Sequence, residues 1–236
     1  MVAYAKEELL ACVIARLLGG ARHAAIGAAS PIPATAAFLH QHKDSAFRVS
    51  LQQRREGNPL TEGSRELFDL AGQGRIDVFF LGGAQIDGEA SINLVAADGK
   101  RFPGSFGSAF MYPVVPRVIL FREEHSPRVL VRKVDFVSAR GNPAALVTGK
   151  ALFSWQRDRR RFRLDTVHPG SSAEDVRAST GFDYDVSPGL AATAEPSEEE
   201  RQALRKKIAP QIQRDYPEFA RRVWGPKTGG GEHGPR

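Results

Sequence analysis

Helix and strand signatures alternate through the first half of the chain, and this alternation restricts the fold more than any other feature. Leu9, Leu10, Val13, Ile14, Leu17 and Leu18 recur at three- and four-residue steps, the spacing of an amphipathic helix, and Gly19-Gly20 stops it. His23–Ala28 reads as a strand of small residues, and Ala34–His40 as a second helix with Ser30 or Pro33 near its start. Phe47–Leu51 is a strand. Ser64–Ala71 is a helix closing at Gly72 and Gly74, and Ile76–Leu81 is a buried strand running straight into Gly82-Gly83. Helix and strand in turn require crossover connections, so the expected class is α/β, with an open, mostly parallel sheet flanked by helices.

Residues 82–109 carry six glycines, a density that reads as loops between strands. Arg117–Arg122 and Arg128–Val137 are expected to be further strands, and Leu146–Thr148 and Ala151–Trp155 to pair around Gly149-Lys150. A helix cap follows at Ser171-Ser172, after which the strand signal fades, and Ser197-Glu198-Glu199-Glu200 opens a polar helix with a capping-box pattern. The chain thus divides into an α/β domain over 1–190, a helical extension over 191–225 and a disordered tail over 226–236.

With 42% hydrophobic and 25% charged residues among 236, the chain has the proportions of a globular protein rather than a disordered one. Its apolar runs fall well short of the ~20 residues that span a bilayer. Met1–Glu8 places Lys6, Glu7 and Glu8 before the first apolar stretch, unlike a secretory signal, so a cytoplasmic protein with no membrane partner is expected. The lone Cys12, inside an apolar helical run, is expected to be a packing residue.

The pI of about 9.7 raises the question of nucleic acid, but a net charge of +6 over this length is a mild excess. The densest basic cluster, Arg157, Arg159, Arg160, Arg161 and Arg163, alternates like an edge strand protected by cations. No nucleic-acid partner is expected. Six dispersed histidines give no metal-ligand spacing, so no metal is expected, and His125, after Glu123-Glu124, reads as part of a solvated loop.

The chemistry points to two glycine-rich turns. Leu81-Gly82-Gly83-Ala84-Gln85-Ile86-Asp87 follows a hydrophobic strand directly, where backbone N–H groups collect at the C-terminal edge of a sheet. It matches neither the dinucleotide fingerprint nor a phosphate-binding P-loop. Pro103-Gly104-Ser105-Phe106-Gly107-Ser108-Ala109 is suited either to unpaired amides around an oxyanion or to a tight connection needing positive φ. Its serine spacing is not that of a nucleophile elbow.

These segments, with Ile92-Asn93, Lys133-Val134-Asp135-Phe136-Val137, His168-Pro169-Gly170, Glu174-Asp175-Val176 and Thr180-Gly181-Phe182, resemble in order the β subunit of glutaconate CoA-transferase and its class I CoA-transferase relatives. The likeness runs from about residue 5 to residue 190. It implies an open α/β subunit that pairs with a homologous α subunit as αβ or α2β2, with the active site between them. It further implies no permanently bound cofactor and a coenzyme A thioester as substrate. In that family a glutamate attacks the thioester to give an anhydride, then a glutamyl-CoA thioester, and backbone amides hold the oxyanion. By the resemblance, Gly82, Gly83, Gln85 and Asn93 would line one loop, and Gly104, Ser105, Gly107 and Ser108 the other.

One departure stands out. The family glutamate follows the strand that corresponds to Phe47-Arg48-Val49, where this chain has Ser50-Leu51-Gln52. A hydroxyl without a paired base cannot substitute for it. Glu56 is the nearest carboxylate and Glu62 a weaker candidate, so the catalytic residue stays open. Relatives lacking the glutamate carry out hydrolytic ring cleavage or decarboxylation on acyl-CoA esters, in the hydrolases with a carboxylate from the α subunit. A β subunit that is catalytically silent and completes only the partner's fold is the remaining reading.

Overall fold

The computed structural model describes residues 4–97 and 99–226. Beyond Pro226 the expected tail, with His233, lies outside the described residues.

The first half builds α1 (Lys6–Arg16), β1 (His23–Ile26), α2 (Pro31–Lys43), β2 (Arg48–Leu51), α3 (Ser64–Gly72) and β3 (Val78–Leu81) in the expected alternation. The second helix starts at Pro31, three residues before the expected Ala34, because proline at the first helical position supplies a ready φ and has no N–H to leave unpaired. Two short hairpins follow, β4 (Gln85–Ile86) with β5 (Ser91–Asn93) and β6 (Ala96–Ala97) with β7 (Lys100–Arg101), so the glycine-rich stretch is more ordered than a run of loops. Next come α4 (Ser108–Val114), β8 (Arg117–Arg122), β9 (Ala139–Arg140), β10 (Ala145–Thr148), β11 (Ala151–Gln156) and β12 (Arg161–Val167). The last elements are α5 (Ala173–Ala178), β13 (Asp185–Ala192), α6 (Glu198–Ala203), a π-helical turn over Leu204–Ile208, α7 (Ala209–Asp215) and α8 (Pro217–Trp224).

The main sheet has eight strands in the order β13-β12-β11-β10-β8-β3-β1-β2. Every pairing from β2 to β10 is parallel, β11 runs antiparallel to both neighbours, and β12 and β13 are parallel again. The strands near its centre are apolar throughout because both faces are covered. Ala24, Ile26, Val78, Phe80 and Ile119 face α1, α2 and the C-terminal helices in one core. Ala25, Phe79, Leu81, Val118 and Leu120 face α3, α4 and the small β4-β5-β9 sheet in a second.

Glu200 fastens the C-terminal helices to the first core: Arg16 lies 2.8 Å and Lys43 2.9 Å from its carboxylate. Glu8 does the same from α1, reaching Arg205 at 2.9 Å. Cys12 is fully buried, and burial raises its thiol to about 12, as a packing residue requires.

Three expectations change. Arg128–Val137 is not a strand: it touches the small sheet through one parallel bridge, Ile86 to Leu130, and then curls around the side chains of Gln85 in β4 and Asp87 just after it. The Arg161–Leu164 stretch is not an edge, because β13 pairs with β12 beyond it. Two cations of the basic cluster are instead held at Asp185, Arg159 at 2.7 Å and Arg161 at 3.6 Å. β13 itself gives little strand signal in the sequence because Pro188 and Gly189 interrupt it, which is how an edge strand is tolerated and protected.

Candidate active site

Strand order locates the ligand edge. β1 has β2 on one side and β3 on the other, so the chain reverses its direction of progress across the sheet between β1 and β3. At such a switch point the loops leaving the two strand ends part and open a crevice. The residues that emerge there are Gly27 after β1 and Gly82-Gly83 after β3. Gln52, first after β2, joins them: its Oε1 lies 3.8 Å from where a Cβ on Gly27 would stand. Gly27 and Gln52 carry no sequence motif, and only the parallel register Ile26 to Leu51 brings them side by side.

The first loop is built on close backbone approach. A Cβ on Gly82 would sit 2.8 Å from the Phe121 carbonyl oxygen, and one on Gly83 2.5 Å from that of Gln85. Gln85 and Asn93, both buried, brace it from below. The Gln85 side chain donates to the Asp135 carboxylate at 2.9 Å and accepts from Asn93 Nδ2 at 2.8 Å and from the Asp135 amide at 3.0 Å. Asn93 also donates to the Ala96 carbonyl at 2.6 Å and accepts from the Val95 amide at 3.0 Å. These carboxamides are spent within the chain. What the loop leaves free is backbone: among the described residues, neither Gly82 nor Gly83 donates its N–H to a turn or loop carbonyl.

The second loop takes the backbone through φ +118° at Gly104 and +60° at Gly107. At Gly107 a Cβ would also strike the Phe68 ring at 2.4 Å. Phe106 holds φ +39° between them with its ring exposed, a strained placement for an aromatic residue. Ser105 accepts from the Ser108 amide, and the Ser108 hydroxyl is buried without a partner. α4 runs from this loop back to the start of β8, so the loop lies towards the C-terminal edge of the sheet. Tyr112 of α4 ties the two loop regions together by donating to the Ala90 carbonyl at 3.1 Å.

Ser50 is turned into the interior, and Glu56 lies on the loop that follows β2. Ser50 is 2% exposed, and its hydroxyl donates to His23 Nε2 at 2.8 Å, since His23 Nδ1 must donate to the Arg75 carbonyl at 2.9 Å. The serine therefore has a basic partner after all. The pair points back towards the start of β1, inside the sheet's buried face, and burial lowers the His23 pKa. Glu56 is exposed on the loop leaving β2, beside Gly57 at φ +63°. Arg54 anchors that loop to Asp215 at 2.9 Å, and Asn58 closes it onto the Arg54 carbonyl at 3.0 Å. Glu62 is exposed further along the same loop.

His125 is not in a solvated loop: it is 7% exposed. Its Nδ1 meets Thr148 Oγ1 at 2.7 Å and its Nε2 meets Thr180 Oγ1 at 3.0 Å. His168 is buried beside it, reaching Thr193 Oγ1 at 2.7 Å and the Thr148 carbonyl at 3.0 Å. Burial, reinforced at His125 by the Lys150 charge, lowers both to about 4. They are neutral connectors between the strand ends. Among the described residues no three His, Cys, Asp or Glu side chains gather as a metal site, and no helix is long and apolar enough to cross a membrane.

No protein-family model matches the chain. It is 26% identical to the B subunit of 3-oxoadipate CoA-transferase from Pseudomonas knackmussii, over 87% of this chain and 94% of that protein. It is 28% identical to the B subunit of glutaconate CoA-transferase from Acidaminococcus fermentans, over 56% of this chain and 57% of that one. The chain is a homologue of the class I CoA-transferase β subunits. The cholesterol ring-cleaving hydrolase IpdB subunit of Rhodococcus jostii is 28% identical over 64% of this chain and 66% of its own length. Among solved structures, the decarboxylase AibA/AibB superposes with a TM-score of 0.78 at 24% identity, covering 94% of this chain and 99% of that one. Glutaconate CoA-transferase of Acidaminococcus fermentans gives 0.75 at 20% identity, covering 89% and 96%. Both share the open, mostly parallel sheet flanked by helices.

Proposed function

We propose that the chain is the β subunit of a class I CoA-transferase-like heteromer, αβ or α2β2, which binds an acyl-CoA thioester and passes CoA between it and a carboxylic acid. The observation that carries this reading is the switch-point edge of the sheet, where the amides of Gly82 and Gly83 are left unspent; the second loop of Gly104, Ser105, Gly107 and Ser108 supplies further donors on this reading. Donors fixed in advance suit the charge that develops on a thioester oxygen, because they need no reorganisation during the reaction. Gln85 and Asn93 act by bracing that loop. On this reading a carboxylate attacks the thioester carbon and expels CoA thiolate, leaving an acyl anhydride. The thiolate then attacks the anhydride's enzyme-side carbonyl, releases the first acid and leaves a thioester ready for the acceptor.

A second reading has its own support. Within this chain the carboxylate would have to come from Glu56 or, less directly, Glu62, because residues 48–55 contain no Asp or Glu and Ser50 is buried. A partner-borne carboxylate performing hydrolysis or carbon–carbon cleavage fits that absence. The likeness to a ring-cleaving hydrolase subunit and to a decarboxylase is in keeping with it. The α subunit is expected to be encoded in a neighbouring reading frame.

Co-expression with that subunit and assay with acyl-CoA donors and carboxylate acceptors separates the readings. Under CoA transfer, Glu56→Ala lowers exchange at least ~1,000-fold, and a glutamyl-CoA adduct is trapped on Glu56 in the unmodified chain. Turnover surviving the substitution within about two-fold assigns the chemistry to the partner and overturns transfer through this chain.

A further inference from the structure

A cleft of about 380 Å³ opens beside the first loop, lined by Arg132, Arg177, Thr180, Gly181, Phe182 and Asp183. We infer that it holds the phosphates at the nucleotide end of the acyl-CoA, with Arg132 and Arg177 closing on them from opposite walls. The inference rests on the proposed acyl-CoA substrate and adds where its charged end lies.

The walls are pinned to each other by backbone. Gly181 donates its N–H to the Leu130 carbonyl at 2.7 Å, and a Cβ on Gly181 would stand 2.6 Å from that oxygen and 2.9 Å from the Arg132 nitrogen. The floor is fixed as well: Phe182 is buried against Phe162, with ring centroids 5.6 Å apart. The cleft also abuts the loop that is to hold the thioester. A Cβ on Gly88 would lie 2.9 Å from Phe182 Cβ, and Leu130, two residues before Arg132, bridges to Ile86. A molecule with a thioester at one end and phosphates at the other matches two neighbouring sites of these two chemistries.

Charge favours an anion. The lining carries two guanidiniums against one carboxylate, a balance of +1. Arg177 is preset 4.9 Å over the Tyr184 ring, and its contact with Asp183 is long, 3.6 Å, with that carboxylate 82% exposed. Such a pair contributes little and yields readily to a phosphate. Arg132 is exposed and has no carboxylate within 4.0 Å among the described residues. Guanidinium groups match phosphate oxygens two at a time, and their weak hydration lowers the cost of contact. Thr180 is already committed, donating to the Val176 carbonyl at 2.7 Å and accepting from His125, so recognition falls to the arginines.

The test is titration calorimetry of the full chain with CoA, dephospho-CoA and inorganic phosphate, together with KM of the co-expressed complex for an acyl-CoA. Arg132→Gln with Arg177→Gln is expected to weaken CoA at least ten-fold and raise KM to match, with kcat unchanged. Dephospho-CoA should bind the unmodified chain several-fold more weakly than CoA. Lysine at both positions keeps the charge and should restore most of the affinity, which excludes misfolding. A double variant that binds CoA and turns over acyl-CoA as before overturns the inference alone. Inorganic phosphate binding as tightly as CoA reduces the cleft to a simple anion site and overturns it too. A complex without activity on any acyl-CoA overturns the proposed function and this inference together.

Discussion

Acidification from pH 6.5 to pH 4 is expected to lower the urea midpoint of unfolding steeply, and the fall begins above the range in which ordinary carboxylates protonate. His125 and His168 have folded pKa values of about 4 against an ordinary value near 6.5. Between those limits the unfolded chain binds more protons than the folded one, so stability falls as pH falls. Above pH 6.5 both rings are neutral in either state, and below pH 4 both are protonated in either state, which confines the slope to that window. A shift of this size corresponds to roughly 3 kcal/mol per ring. Burial is the main cause, since it disfavours the charged ring; at His168, where Nε2 donates to the Thr148 carbonyl, Nδ1 also accepts from Thr193, and a protonated ring cannot. Glu200, held at about 2 by Ser197, Lys43 and Arg16 against its own desolvation, adds a separate loss only as pH falls below about 4.5. Denaturant titrations from pH 8 to pH 3.5 check this. His125→Gln with His168→Gln should flatten the upper part of the profile, and a wild-type midpoint that stays level down to pH 4.5 would contradict the assignment.

Gly83→Val is expected to destabilise the chain by about 3 kcal/mol and to cut turnover of the complex at least ~100-fold. Its Cβ would meet the Gln85 carbonyl oxygen at 2.5 Å and that of Asn93 at 3.2 Å, and both atoms belong to the hairpin that positions the loop amides. Neither can rotate away as a side chain would. Gly189→Ala serves as the control, since a Cβ there meets nothing within 4 Å and should change stability by less than about 0.5 kcal/mol. Equal effects from the two substitutions would show that the close approach at Gly83 is not what shapes the loop.

The parallel half of the sheet was legible because burial on both faces leaves β3 and β8 continuously apolar, with glycine marking where the chain leaves β3. Alternation misled at Arg128–Val137. Val129, Leu130 and Val134 are buried there, but they pack under a segment whose amides serve Gln85 and Asp87 rather than a neighbouring strand. In the site, the two glycine loops were visible as motifs, whereas the switch point between β1 and β3 depends on strand order, which no local pattern encodes. The Ser50–His23 contact spans 27 residues and follows from the β1–β2 register, and Arg132 meets Arg177 only through the Gly181–Leu130 contact. Tertiary pairing of this kind has no periodicity to read.

The most direct measurement is a crystal structure of the co-expressed complex with a non-hydrolysable acyl-CoA thioether. The expected result places the acyl carbonyl oxygen within hydrogen-bond distance of amides from the Gly82-Gly83 or Gly104-Ser105 turns. An acyl carbonyl bound away from both turns would contradict the account.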